Sequence, residues 1–430
     1  MAELTHDARQ LEAIAACSNT SDVVKRIVAV TGAAGTGKTT IMRVAAQALR
    51  DKGYKVVLAA PTGKAAKRIE EATGLQAMTI HRLLEFPHPH ELDKKTGKYL
   101  DATRPKRCRT YPLEYDYVFV DEYAMVSNDL HNDLLAAVPH GGRLRVFGDI
   151  NQLPPIERVN DGSPSPFKRL LTKFVAIELN TIHRQGEGSG IIENGARILR
   201  GFIPQVRQDF ILRVTDKPVD SLVRLIEMYE RNGVNLFNMQ NQIITTANQS
   251  WIGTLKLNVA LQRLADLDRD QFIDVQRHEW DKTPLRLYVD DKVIYSVNCY
   301  DLELFNGETG IVTAITNHGE IEVDFGDRHV LIPPRIMTKD AGGRTVVYNP
   351  QRSISLAYAI TTHKAQGSEY QNVVYVLNKS TRYNQNRHNF YTAVTRARKA
   401  TVVVTDQTSL SYSVWRQEVF RPRKTQVDPQ

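Results

Sequence analysis

Cysteine is scarce in this chain: Cys17, Cys108 and Cys299 lie far apart among 430 residues and form no C-x-x-C pair. That spacing excludes a disulfide framework and a zinc ribbon, and it points to a reducing, cytoplasmic setting. No apolar run approaches the ~18 residues of a membrane span, and Met1 to Asp7 is polar and acidic rather than a leader. An Asn-Lys-x-Asp guanine signature is also missing. Negative charge is not in excess either. Lysine and arginine number 56 against 48 aspartates and glutamates, a balance that suits polyanionic partners. With 42% hydrophobic content the chain is not disordered, and its length holds two to four cores at roughly 150 residues per domain.

What is present begins with Gly32-Ala33-Ala34-Gly35-Thr36-Gly37-Lys38-Thr39, between the apolar run Ile27 to Val30 and the helix-forming stretch Ile41 to Arg50. This is the strand, phosphate loop and helix pattern G-x-x-x-x-G-K-[ST]. The glycines let backbone N–H groups turn around a polyphosphate, Lys38 reaches the outer phosphates, and Thr39 can hold Mg²⁺. The chain is therefore expected to bind a nucleoside triphosphate.

Short β-branched runs recur between helical stretches, at 27–30, 56–60, 117–120, 144–147 and 174–177, and again at 242–246, 354–360, 373–377 and 401–404. Continuous apolarity marks strands covered on both faces, so two α/β lobes with parallel sheets are expected. Glu85 to Tyr115 interrupts the first lobe with four prolines and a turn-like Lys94-Lys95-Thr96-Gly97-Lys98. It reads equally as a projecting hairpin or a solvated loop. From Asp281 to Asn349, short strand-like pieces with turns at Asn306-Gly307 and His318-Gly319 suggest a small inserted β-barrel.

Asp121-Glu122 ends a buried strand, where ligands of open α/β sheets bind. Asp121 can hold Mg²⁺, and Glu122 is placed to orient or deprotonate an attacking water. Gln152, in Gly148 to Pro155, leaves the next strand end; its amide can both donate to a γ-phosphate and accept from that water. Phosphoryl transfer also calls for arginines from a second lobe, and composition alone does not select them.

The ordered set of Gly32 to Thr40, Ala60 to Ala66, Thr79 to Leu84, Asp121-Glu122, Gly148 to Pro155, Thr362 to Gly367 and Val394 to Ala397 resembles the superfamily 1B DNA helicases, RecD-like and phage Dda-like. The resemblance spans nearly the whole chain. It implies two RecA-like lobes, the first at 1–84 and 116–155, the second at 156–280 and 350–422. A pin hairpin is expected at 85–115, an SH3-like barrel at 281–349 and a flexible tail at 423–430.

By the same resemblance the chain is an ATP- and Mg²⁺-dependent helicase moving 5′ to 3′ on single-stranded DNA and splitting duplex on the pin. Arg184 and Arg396 resemble the arginines that touch the γ-phosphate. Gln10 resembles the adenine-reading glutamine and Glu369 a ribose-binding carboxylate; Gly32, Gly35, Thr36, Gly37, Lys38, Thr39 and Thr40 complete the ATP set. Pro61, Thr62, Thr79, His81, Thr362 and His363 sit in loops that touch DNA in the family, although Thr79 could simply cap a helix. Phe86 is a candidate pin contact.

The expected partners are single-stranded and forked DNA, with a single-stranded DNA-binding protein or replication and recombination proteins, around a monomer. The setting would be host cytoplasm for a phage-encoded chain. Ala33 stands where the family often has proline, which loosens the phosphate loop without removing a ligand. Tyr123-Ala124 departs from the usual small residue and serine, which bears on the relay to DNA. A translocase with weak unwinding and an ATP-switched DNA clamp are the other readings.

Overall fold

The computed structural model describes residues 6–20, 26–87, 104–155, 164–182, 188–265, 267–276, 284–339 and 345–417. Its first sheet is parallel and six-stranded, in the order Ala77–Thr79, Val56–Ala60, Tyr117–Val120, Arg143–Gly148, Ile27–Gly32, Val175–Leu179. Its central strands are buried on both faces, as their unbroken apolarity requires. Helices Ala8–Cys17 and Lys38–Asp51 share one buried cluster with these strands, and Pro166–Lys173 contributes to the cluster on the other side.

This corrects the expected lobe boundary at 155. Val175–Leu179 pairs in parallel with Ile27–Gly32, so the first lobe runs on through Leu179. The strand alternates exposed and buried residues because it is an edge.

The second sheet is also parallel, in the order Ala359–Thr361, Asn241–Thr245, Tyr370–Val376, Ala397–Thr405, Phe210–Val214. Beside it lies a five-stranded antiparallel sheet: His329–Ile332, Ile321–Asp324, Thr309–Ile315, Lys292–Tyr295 and Ile354–Leu356. The run expected as one strand from Ile354 to Ile360 is thus split between two sheets. Gln242 marks the crossing point, its buried Nε2 donating to the carbonyls of Ala357 (3.0 Å) and Tyr358 (3.1 Å).

The inserted region also exceeds its expected limits of 281 and 349, through Ile354–Leu356 and the hairpin Phe272–Val275 with Leu285–Tyr288. One apolar cluster joins both sheets, from Val374, Val376 and Val402 to Val293, Val312, Val323 and Ile332. The insertion therefore packs as part of the second lobe.

The segment expected as a pin leaves and re-enters at one point. Arg107 N donates to Leu84 O (3.1 Å), Lys106 N to Glu85 O (3.3 Å), and the Arg107 side chain pairs with Glu85 (2.7 Å). Its tip, Lys94 to Lys98, lies outside the described residues, as does the tail. Among the described residues no helix is long and apolar enough to cross a membrane.

Lys292 fastens the antiparallel sheet to the second lobe. Fully buried, its Nζ donates to Asn238 O (2.9 Å) and Asn241 O (2.7 Å) at the start of the strand Asn241–Thr245. Burial, with Lys64 nearby as a second cause, pushes its pKa down to about 7 from 10.5. Between those values the unfolded chain binds the proton that the folded one has released, so stability rises with pH across the window. Melting curves from about pH 7 to about pH 10 should show this rise, and Lys292→Met should flatten it. An unchanged slope in the variant would assign the rise to other groups.

Candidate active site

The strand Ile27–Gly32 runs into the phosphate loop, whose Gly35 and Gly37 take φ of 87° and 85°. Side chains rarely adopt that region, so glycine is required. Gly32 is needed for a different reason: a Cβ there would stand 2.5 Å from Thr36 Oγ1. Helix Lys38–Asp51 starts at the loop's end and directs its N-terminus at the cavity. Lys38 Nζ donates to the carbonyls of Gly32 (2.7 Å) and Ala33 (2.9 Å), so the ammonium sits in the mouth of the loop.

A cavity of about 340 Å³ opens between the lobes at this point. Gly35, Gly37, Lys38, Thr39, Thr40, Asp121, Glu122 and Gln152 line it from the first lobe, Glu369 and Arg396 from the second. Ten residues expected from sequence therefore converge on one space. Ala34, Arg68 and Arg398 line it as well. Sequence reasoning missed both arginines because nothing local distinguishes them from surface cations. Arg184 lies outside the described residues.

The two carboxylates follow the strand Tyr117–Val120, and both are buried. Asp121 Oδ1 accepts from Glu122 N (2.8 Å), and Glu122 takes a left-handed backbone, φ 50°. Burial first, and the Glu122 carboxylate second, push the Asp121 pKa up to about 6, with Lys38 acting in the opposite direction. Glu122 Oε2 and Gln152 Oε1 are buried without a hydrogen-bond partner. Unpaired buried oxygens are costly and need a reason. Beside a cavity that also receives the Thr39 hydroxyl and the Asp121 carboxyl, they fit a site built for a hydrated divalent cation and an attacking water.

The second lobe reaches the Gln152 loop directly. Tyr391 Oη donates to Asp149 Oδ2 (2.7 Å), Leu153 N to Thr392 Oγ1 (2.9 Å), Gln366 Nε2 to Leu153 O (2.8 Å), and His388 Nδ1 lies 2.8 Å from Asn151 O. Arg396 is buried and braced on the carbonyls of Thr392 (3.1 Å) and Ser368 (3.4 Å). Both oxygens of Glu369 pair with arginines, one with Arg68 and the other with Arg398.

The Gln10 side chain is held against the phosphate loop. Its Nε2 donates to Thr36 O (3.1 Å) and its Oε1 accepts from Asp7 N (3.2 Å) in a capping box. An adenine contact would need this pairing to open. Gly32 and Thr36 likewise shape the loop.

The candidate strand-gripping residues divide into two groups. Thr62 and Thr79 cap the helices that follow, accepting from Ala65 N (3.2 Å) and Arg82 N (3.1 Å). Pro61, Thr62 and His363 are half-buried, His81 is exposed, and Phe86 packs its ring 4.9 Å from that of His81. Thr362 corrects its expectation: fully buried, its hydroxyl donates to Asn389 Oδ1 (2.7 Å) and is unavailable to a phosphate. Thr79 is buried too.

Residues 5–208 match the AAA domain family model, and residues 356–404 the UvrD-like helicase C-terminal domain. The chain is 32% identical over 380 residues to the ATP-dependent RecD2 DNA helicase of Deinococcus radiodurans, covering 87% of this chain and 46% of that protein. It is 28% identical over 433 residues to the RecBCD enzyme subunit RecD of Mycolicibacterium smegmatis, covering 91% and 71% respectively. It therefore spans about half the length of the first relative. Its fold resembles Bacteroides Pif1 helicase in complex with ADP-AlF3 and ssDNA, with TM-score 0.59 at 21% identity, 95% of this chain and 94% of that one. Candida albicans Pif1 helicase is similar at TM-score 0.55 and 19% identity, covering 95% and 97%.

Asp121 supplies a pH test. Its folded pKa is raised from 3.8 to about 6, so the folded chain binds more protons in that window and stability falls as pH rises through it. Asp121→Asn keeps an acceptor for Glu122 N–H and removes the buried charge. The variant should melt several degrees above the parent at neutral pH, with the gap closing near about pH 4. A parent that melts higher at neutral pH would show that the carboxylate is stabilised where it stands.

Proposed function

We propose that this chain is an ATP-dependent DNA helicase of the RecD-like kind, superfamily 1B, moving 5′ to 3′ along single-stranded DNA, a reading supported by its similarity to the RecD2 and RecD proteins and to the two domain models. The observation that carries the reading is the interlobe cavity, where the phosphate loop, Asp121, Glu122 and Gln152 meet Arg396 from the opposite lobe.

Each group has a chemical task in hydrolysis. Lys38 leaves the loop carbonyls for the outer phosphate oxygens, and the backbone around Gly35 and Gly37 cradles the others. Thr39 and Asp121 are the residues that would hold Mg²⁺, which when bound offsets charge on the β- and γ-phosphates. Glu122 takes a proton as water oxygen attacks the γ-phosphorus, while Gln152 fixes that water with its amide. Arg396, joined by Arg184 on the family's pattern, meets the charge that develops as the bond to ADP breaks. Inorganic phosphate and ADP are the products. Removing one such arginine costs about 10³ to 10⁵ in turnover.

Movement follows when this cycle opens and closes the gap between lobes that each hold a strand. Pro61, Thr62, His81 and His363 are the proposed strand contacts, with Thr79 and Thr362 ordering their loops. The segment 85–115 is the proposed wedge, with Phe86 at its base, and the antiparallel sheet acts as the SH3-like guide. Polarity and wedge rest on the family resemblance. The second reading is a translocase that unwinds only within a complex, favoured by a relative named as a RecBCD subunit. A replication or recombination setting, a single-stranded DNA-binding partner and a monomeric state belong to the same proposal.

Duplexes carrying only a 5′ or only a 3′ single-stranded overhang decide the polarity. Strand separation is expected from the 5′ substrate alone, and Lys38→Ala should abolish both it and DNA-stimulated hydrolysis. Unwinding from the 3′ overhang alone would reverse the assigned direction. Hydrolysis stimulated by single strands without any unwinding would favour the translocase. Replacing the Lys94 to Lys98 tip by a short turn should spare the ATPase and impair unwinding.

A further inference from the structure

Helix Gly63–Thr73 of the first lobe is seated directly on the second. Its N-cap is Thr62, a Cβ at Gly63 would stand 2.3 Å from Phe305 Cβ, and one at Gly367 would lie 3.5 Å from Ala65 Cβ. Lys67 pairs with Asp327, in the turn between the strands Ile321–Asp324 and His329–Ile332 of the antiparallel sheet. One residue further along the same helix, Arg68 enters the nucleotide cavity and pairs with Glu369 Oε1.

The pairing is lopsided. Glu369 is 6% exposed, and its other oxygen takes two bonds from Arg398, at 2.7 and 3.0 Å. Arg68 is 39% exposed, so its side chain is open to rotation. If Arg68 left, Glu369 would keep both bonds from Arg398 on Oε2, so the buried carboxylate would retain an arginine partner. Arg68 and Asp121 line the same cavity, and the arginine's charge acts against the burial that raises the carboxyl pKa.

We propose that Arg68 is a further phosphate-binding residue, parked on Glu369 and transferred to the terminal phosphate of a bound nucleoside triphosphate. The planar guanidinium fork matches a phosphate's paired oxygens as it matches a carboxylate, so the exchange conserves its bonding. The inference rests on the reading of the cavity as a triphosphate site. It adds to that site a cation from the same lobe as the phosphate loop. Because the arginine leaves an interlobe partner to bind phosphate, nucleotide arrival also releases one contact between the lobes.

Equilibrium titration of the full chain with a fluorescent non-hydrolysable ATP analogue and with fluorescent ADP tests this. Arg68→Ala should weaken the analogue by about tenfold and ADP by less than about twofold, because the terminal phosphate alone is lost as a partner. The KM for ATP should rise with it, and Arg68→Lys should recover part of both effects. Equal weakening of analogue and ADP, or no change in either while only the melting temperature falls, would make Arg68 an interlobe clasp and overturn the proposal. A parent chain that binds neither probe would overturn the triphosphate reading itself. Should Arg68→Ala fail to fold, Arg68→Gln gives the same comparison with the side-chain length retained.

Discussion

The seam between the Gln152 loop and the second lobe is the interaction on which the site depends. Four polar contacts, through Tyr391, Thr392, Gln366 and His388, hold residues 149–153 against the other lobe. Each hydrogen bond contributes about 1 kcal/mol net, so together they bring about 4 kcal/mol. A nucleotide bound at micromolar affinity brings about 8 kcal/mol. The seam is strong enough to set where Arg396 stands relative to Lys38, and weak enough for binding energy to rearrange it. Much stronger contacts would lock the lobes; without them the cavity would have only one wall.

The chemistry in that cavity is held at a cost to stability. Asp121 and Glu122 are buried side by side, two unpaired oxygens face the space, and Glu122 has a left-handed backbone. A strained non-glycine residue costs of order 1 kcal/mol, and a buried unpaired acceptor about 1 to 3. These costs are met by the surrounding parallel sheet, whose strands Tyr117–Val120 and Arg143–Gly148 are buried almost end to end. Rigidity of the strands allows their ends to be unfavourable.

The strand ends were the legible part of the sequence. A phosphate loop, an Asp-Glu pair and a glutamine loop each follow a continuous apolar run, and a parallel sheet brings such run ends to one rim without further information. Side chains delivered by helix faces were not legible. Arg68 lies mid-helix in Gly63–Thr73, and its meaning comes from Glu369, 301 positions away in the chain. Strand allocation failed for the same reason. Val175 to Leu179 and Ile354 to Ile360 have ordinary β composition, and only the neighbour each finds decides its sheet. The threonines were ambiguous because one hydroxyl can both cap a helix and donate to a phosphate. Burial resolves Thr362, which has its hydroxyl committed inside the protein.

Thr62 shows why capping and strand contact are compatible. Its oxygen accepts from Ala65 N, which leaves the hydroxyl hydrogen free to donate outward. Six residues on, along a helix rising about 1.5 Å per residue, stands Arg68, so the two lie about 9 Å apart along a nearly inextensible rod. Rotation of the arginine side chain from carboxylate to phosphate leaves that rod where it is. Only a shift of the whole helix, once its Arg68 contact with the other lobe is released, would carry Thr62 and Pro61 with it. The proposed nucleotide contact and the proposed strand contact thus lie on one element, whose Gly63 and Ala65 face Phe305 and Gly367 of the other lobe.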